Sequence, residues 1–313
     1  MSAPQDDKAT AATAAVAAPP RRGHEVVDGT GRRLSYLVYG QQDLQKAKAV
    51  LLFLHGVPAS ACEAATLDRA AAEAGMAVVS VDRPGVGESS PHTVHSLASF
   101  AVDLGSLLDA LGLQGVALAG ESGGRPYAAA AAALLGPTQV FPLPLVNAVG
   151  PLGGGLLDPL PQGEGQDALK FVGWRHAGVA MPVAPLVKHK PEVVIREAGN
   201  DMGPADRQVL ESSPQMGQMM VEMVRGAYRQ GVGAVLDEYD VLRLPWAGVD
   251  LGKIQCKTTV WHGTLDCCVP SSHGEWYAQA IQGSTLKLVE GEGHTTISVR
   301  RGREIIAAVL EGA

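Results

Sequence analysis

Residues 115–135 read GVALAGESGGRPYAAAAAALL. Gly115 to Ala119 is an apolar run of strand length. Gly120-Glu121-Ser122-Gly123-Gly124 follows at once. Residues 126–135 then form an Ala-dominated helix, with a proline in its first turn and Gly136 as the stop. A serine set between glycines at a strand–turn–helix junction has a physical purpose. The turn is too tight for neighbouring side chains, the hydroxyl stands exposed, and the helix behind it aims N-terminal amides at a reacting oxygen.

Working outward, the same alternation continues. Residues 34–39 and 48–54 read as strands, 63–74 as a helix, 76–81 as a buried strand, and 94–111 as an amphipathic helix. Strands alternating with helices predict a parallel sheet covered on both faces. The alternation stops after Val146. Residues 151–165 are a Gly/Pro/Leu-rich loop, and 166–245 read as helical, with candidates near 191–198, 204–212, 215–229 and 233–243. Strand signal returns at 258–261 and 285–289. We therefore expect a leader without fixed structure over 1–23, a core in two parts at 24–150 and 251–313, and a helical cap inserted at 151–250 over the carboxyl edge of the sheet.

Composition narrows the function. The 313 residues are 46% hydrophobic and 18% charged, enough for a large buried core. Lys plus Arg number 25 against 32 Asp plus Glu, a net charge of −7, which argues against nucleic acid as a partner and for a small molecule. The four cysteines form no CxxC pair, so a reducing compartment, the cytoplasm, is the reading; a plastid transit segment at the N-terminus is the alternative. The longest uncharged stretch, 126–157, is broken by prolines and glycines and cannot be a membrane span. No metal-ligand motif and no cofactor-binding motif is present, and Gly85-Val86-Gly87 lacks the context of a phosphate loop. The oligomeric state is not encoded in any feature of the chain.

A serine hydroxyl needs a base. Among nine histidines, His294 stands in a glycine-flanked loop, Gly291-Glu292-Gly293-His294, just after the strand ending at Val289. Asp266 follows the strand at 258–261 by a short turn and is the carboxylate expected to orient that imidazole; Asp237, Asp240 and Asp250 belong to the helical insertion. Two backbone amides should hold an oxyanion: Gly123, after the serine, and Val57, in the loop His55-Gly56-Val57-Pro58 after the strand 48–54. His55 and His262 are expected to be structural, and Arg125 to reach solvent. Met216, Met219, Met220 and Met223 fall on one helix face, either as core packing or as the lining of an apolar substrate pocket. Cys267-Cys268 reads as packing.

Taken together, HGVPAS at 55–60, DRPGVGESS at 82–90, GESGGRPYA at 120–128, WHGTLDCCVP at 261–270 and GEGH at 291–294 resemble the α/β-hydrolase superfamily, most closely its capped, serine esterase-like branch. The resemblance spans 24–313 and implies an eight-stranded, mostly parallel sheet and a triad in the order Ser122, Asp266, His294. Epoxide hydrolases and haloalkane dehalogenases carry Asp at the position of Ser122, which argues against both. The expected activity is a serine hydrolase cleaving a small, apolar ester through an acyl-enzyme. An acyltransferase and a slow-turnover ligand receptor on the same fold are the alternatives.

Overall fold

A computed structural model describes residues 19–137, 139–140, 142–147, 149–150, 183–243, 246 and 248–312. Its strands are β1 (Arg21–Val26), β2 (Arg33–Gly40), β3 (Val50–Leu54), β4 (Ala77–Val81), β5 (Ala117–Glu121), β6 (Leu143–Val146), β7 (Thr258–Gly263) and β8 (Thr285–Val289). They form one sheet in the order β1-β2-β4-β3-β5-β6-β7-β8. β2 runs antiparallel to β1 and to β4, and the remaining pairs are parallel. The eight-stranded, mostly parallel sheet expected from the sequence is therefore present.

The chain leaves β3 toward β4 on one side and returns to β5 on the other. At that reversal the loops after β3 and β5 together line a cavity at the carboxyl edge, where open α/β sheets bind ligands. Every residue of β3, β4 and β5 is buried, which explains their largely apolar sequences, with Ser80 in β4 and Glu121 at the end of β5 as the polar exceptions. Their alternation feeds two cores. Leu52 and Leu54 face the helices α2 (Leu97–Leu111) and α3 (Arg125–Leu135). Leu51 and Phe53 face the 3₁₀ turn Ala61–Leu67, the helix α1 (Asp68–Ala74) that follows it, and the carboxyl-terminal helix, which contributes Ile306 and Val309.

Two boundaries differ from expectation. β1 begins at Arg21, inside the segment assigned to the leader, because Arg21 to Val26 pair in register with Val38 to Arg33 of β2. α2 starts at Leu97 rather than at Val94. Ser96 and Ser99 form a reciprocal capping box, with Ser99 N–H donating to Ser96 Oγ at 3.0 Å and Ser96 N–H to Ser99 Oγ at 2.9 Å. Val94 is left outside, largely exposed.

Between β6 and β7 lie helices α4 (Pro191–Asp201), α5 (Pro204–Ser212), α6 (Pro214–Ala227) and α7 (Gly233–Arg243), close to the four expected. The expected loop at 151–165 and the residues to 182 fall outside the described residues. Prolines open α4, α5 and α6, where their missing N–H costs nothing. Helices α8 (Ser271–Ala280) and α9 (Thr296–Leu310) complete the fold. No helix among the described residues is long and apolar enough to cross a membrane.

Candidate active site

β5 carries its strand conformation through Glu121, and the next residue bends sharply. Ser122 has φ +48°, in the left-handed region that a side chain normally avoids. The flanking glycines make the bend possible. A Cβ on Gly120 would lie 2.7 Å from Arg125 Cα and 2.8 Å from Gly124 O, and one on Gly124 would run into the Leu54 carbonyl. A Cβ on Gly123 would lie 2.7 Å from Val57 Cγ2 and 3.3 Å from Val57 N. The two residues expected to supply oxyanion amides are thus side by side.

The loops after β7 and β8 bring Asp266 and His294 together. Asp266 Oδ1 accepts the N–H groups of Cys268 and Val269, both at 2.8 Å, which fixes the carboxylate. Asp266 Oδ2 lies 2.8 Å from His294 Nδ1. Burial disfavours a charge on either residue, but the pairing overrides it. The charge and hydrogen bond of His294 hold Asp266 below the usual carboxylate range. Burial pulls His294 down, yet Asp266, with Glu121 and Asp206 behind it, carries it up to about 9. The base loop itself is anchored from outside its own strand. Asp206 of α5 accepts the N–H groups of His294 at 2.9 Å, Thr295 at 2.8 Å and Thr296 at 2.9 Å, capping α9. Asn147 donates from Nδ2 to the His294 carbonyl and accepts Gly263 N–H at 3.2 Å.

The loop after β3, the candidate oxyanion loop, is braced by ions. Fully buried Arg83 donates to the carbonyls of His55 and Gly56, the latter at 2.8 Å, and pairs with buried Glu238 of α7. Its guanidinium stacks 4.7 Å above the Tyr127 ring. His55 is itself buried, with Nδ1 2.8 Å from the Gly56 carbonyl, and burial together with Arg83 keeps it neutral. Gly56 N–H donates to Glu63 Oε2 at 2.6 Å.

Ser122, Gly123, Val57 and His294 line one cavity of about 340 Å³. Met220 and Met223 face it as well. Met216 and Met219 instead pack among the helices around Val187, Ile195 and Val224. The methionine face is therefore divided between lining and packing. Cys268 lines the cavity and Cys267 is exposed. The ligand atoms of Asp266, Cys268 and His294 come within 4.8 Å of one another, although two of those groups already hold each other. His262 lies in β7, with Nε2 2.9 Å from the Val269 carbonyl, and burial lowers it to about 4.

One expectation is overturned. Arg125 does not reach solvent: it is fully buried, donates from Nη2 to the Trp261 carbonyl at 2.6 Å and lies 5.8 Å over the Tyr277 ring. From the start of α3 the side chain runs to a carbonyl of β7 and the aromatic face of Tyr277 in α8, with Asp266 and Glu121 acting on its charge. Sequence reasoning also missed Glu63, Arg83, Asn147, Asp206 and Glu238. Arg83 and Glu63 stood inside or beside quoted motifs, so a buried role was open to inference. Asp206 and Glu238 gave no signal, because acidic residues on helices are ordinarily solvated.

Comparison with known proteins agrees with this geometry. A family profile described as the alpha/beta hydrolase fold matches residues 49–180. None of the curated proteins matches the sequence. Among solved structures, the chain is similar to a bromoperoxidase from Bacillus anthracis, with TM-score 0.70 and 23% identity over 93% of this chain and 99% of that one. It is also similar to an esterase from Exiguobacterium antarcticum, with TM-score 0.67 and 18% identity over 92% and 98%. Epoxide Hydrolase A from Mycobacterium thermoresistibile gives TM-score 0.67 and 19% identity over 93% and 97%. Sheet order, the bend at Ser122, the profile match and the likeness to these structures give the chain the α/β-hydrolase fold.

Proposed function

We propose that the protein is a serine hydrolase acting on a small, apolar ester, in the cytoplasm. Ser122 Oγ attacks the ester carbonyl as His294 takes its proton. Asp266, fixed by two amides, holds the imidazole by Nδ1 and stabilises its cationic form. The amides of Val57 and Gly123 receive the negative charge that develops on the carbonyl oxygen. The protonated imidazole releases the alcohol, and water then frees the acid from Ser122. Helices α4 to α7 serve as the cap, and Met220 and Met223 shape the apolar pocket.

The observation that carries this reading is the strained backbone of Ser122, opening on the same cavity as a histidine already bound to a buried carboxylate. A serine, not an aspartate, at this bend favours a hydroxyl nucleophile over the carboxylate of an epoxide hydrolase. Labelling with a fluorophosphonate, mapped by mass spectrometry, tests it beside a p-nitrophenyl ester series of increasing chain length. Modification at Ser122, and loss of at least ~10⁴-fold in turnover in Ser122→Ala, is expected. Undiminished turnover in that variant would overturn the assignment.

A further inference from the structure

Most of the cavity wall is apolar, built from residues such as Met220, Met223, Val194 and Leu242. Beside the bend a carboxyl group interrupts it. Glu63 comes from the 3₁₀ turn Ala61–Leu67, and its Oε2 accepts Gly56 N–H at 2.6 Å. Glu63 and Ser122 line the same cavity. A methyl group built on Gly56 would touch Ser122 Cβ at 3.3 Å and Glu63 Oε1 at 3.4 Å. Carboxylate and serine therefore both border the small gap beside Gly56, on the wall of one cavity.

An anion in such a wall is unfavourable unless it is neutralised or meets a cation. The charged groups around Glu63 do not supply one freely. Arg83 pairs with Glu238, His294 pairs with Asp266, and Glu121 is a second buried acid. Burial accordingly pushes the Glu63 carboxyl up to about 7, against the pull of Gly56 N–H, His294 and Arg83.

We propose that Glu63 is a substrate-recognition residue that receives an ammonium group on the carbon next to the scissile carbonyl, so that esters of apolar α-amino acids are preferred. This rests on Ser122 being the nucleophile. The spacing selects the α position. A carbonyl carbon in contact with Ser122 Oγ carries its α-substituents into the gap beside Glu63, whereas an amine farther along the chain is delivered to the apolar wall. The apolar remainder of the cavity accepts the amino-acid side chain. The reaction balances as ordinary hydrolysis: the Ser122 O–C bond replaces the C–OR bond, water then replaces Ser122, and an amino acid and an alcohol leave.

The test compares alanine ethyl ester with ethyl isobutyrate, in which a methyl stands for the ammonium, at pH 6.5. Each kcat/KM is divided by the ester's own hydroxide-catalysed rate. The wild type is expected to prefer the amino ester by about 10- to 100-fold, the range of a charge-assisted hydrogen bond. Glu63→Gln, which keeps an oxygen for Gly56 N–H, is expected to bring the ratio near one, with folding checked by thermal unfolding. Ethyl 4-aminobutyrate, its amine out of reach, is expected to lose the preference in the wild-type protein, so the test does not depend on the variant. A wild-type ratio near one, or one unchanged by Glu63→Gln, with Ser122-dependent hydrolysis of ethyl isobutyrate intact, overturns this inference and leaves the hydrolase reading standing. Absence of Ser122-dependent hydrolysis of every ester overturns both.

Discussion

Asp206 accepts the backbone N–H of His294 at 2.9 Å across 88 positions of sequence. A carboxylate from a helix between β6 and β7 thus sets the loop on which the candidate base stands. Asp206→Ala would leave three N–H groups without their acceptor, each buried or nearly so. We expect a loss of about 3 kcal/mol in urea unfolding and a fall of at least about 10-fold in kcat, with a smaller change in KM. Asp206→Asn, which keeps one oxygen, should fall between. Equal kcat in wild type and Asp206→Ala would show that the loop holds itself.

The Arg83–Glu238 pair allows stability and activity to be separated. Removing one member of a buried pair strands the other, so Glu238→Gln should cost about 3 kcal/mol. The double variant Arg83→Met, Glu238→Leu removes both charges and should recover most of that loss. It cannot restore the donors to the His55 and Gly56 carbonyls, so kcat is expected to stay low. Recovery of kcat along with stability would mean that Arg83 does not position the Val57 amide.

At Ser122 the backbone itself can be measured. A left-handed φ is strained for alanine and relaxed for glycine. Ser122→Gly is expected to be about 1 kcal/mol more stable than Ser122→Ala, although glycine ordinarily destabilises through the unfolded chain. Denaturant unfolding of the two variants makes the comparison, and the opposite ranking would contradict the geometry.

The pH dependence has a stated sign. With His294 raised to about 9, the neutral base is scarce at pH 7, so kcat/KM for a neutral ester should climb through pH 8 to 9. Glu121 contributes to that rise, and Glu121→Gln should move the limb to lower pH. Stability moves the other way. A histidine whose folded value exceeds its ordinary value of 6.5 adds stability that is complete below pH 6.5 and lost as pH passes about 9. His294→Gln should therefore cost more at pH 6 than at pH 10, as read by thermal unfolding. A cost independent of pH would mean that Asp266 and His294 are not coupled.

The parts legible in the sequence were those written in local pattern. Apolar runs of strand length marked β3 and β4, and the serine between glycines marked the bend, because each follows from backbone geometry within a few residues. Asp266 and His294 were legible because each sits in a short turn after a strand. The placement of Arg125 was not. A long cation at the start of a helix has two ordinary fates, and the Trp261 carbonyl that decides between them lies 136 residues away. Asp206 and Glu238 were hidden for the same reason: their partners lie on other segments, and nothing in the surrounding sequence distinguishes a buried carboxylate from a solvated one. β1 escaped notice because its apolar content is low; pairing with β2, not burial, makes it a strand.

The two acidic side chains that descend from the helices between β6 and β7 also restrict how this chain can be recombined. Glu238 reaches the loop after β3 through Arg83, and Asp206 grips the loop after β8. A graft that replaced these helices with those of another protein of this fold would exchange more than the roof of the pocket, since it would withdraw support from the loop after β3 and the loop after β8 together. A working chimera has to bring its own carboxylates to those two points, or carry compensating changes at Arg83 and at the amides of residues 294–296.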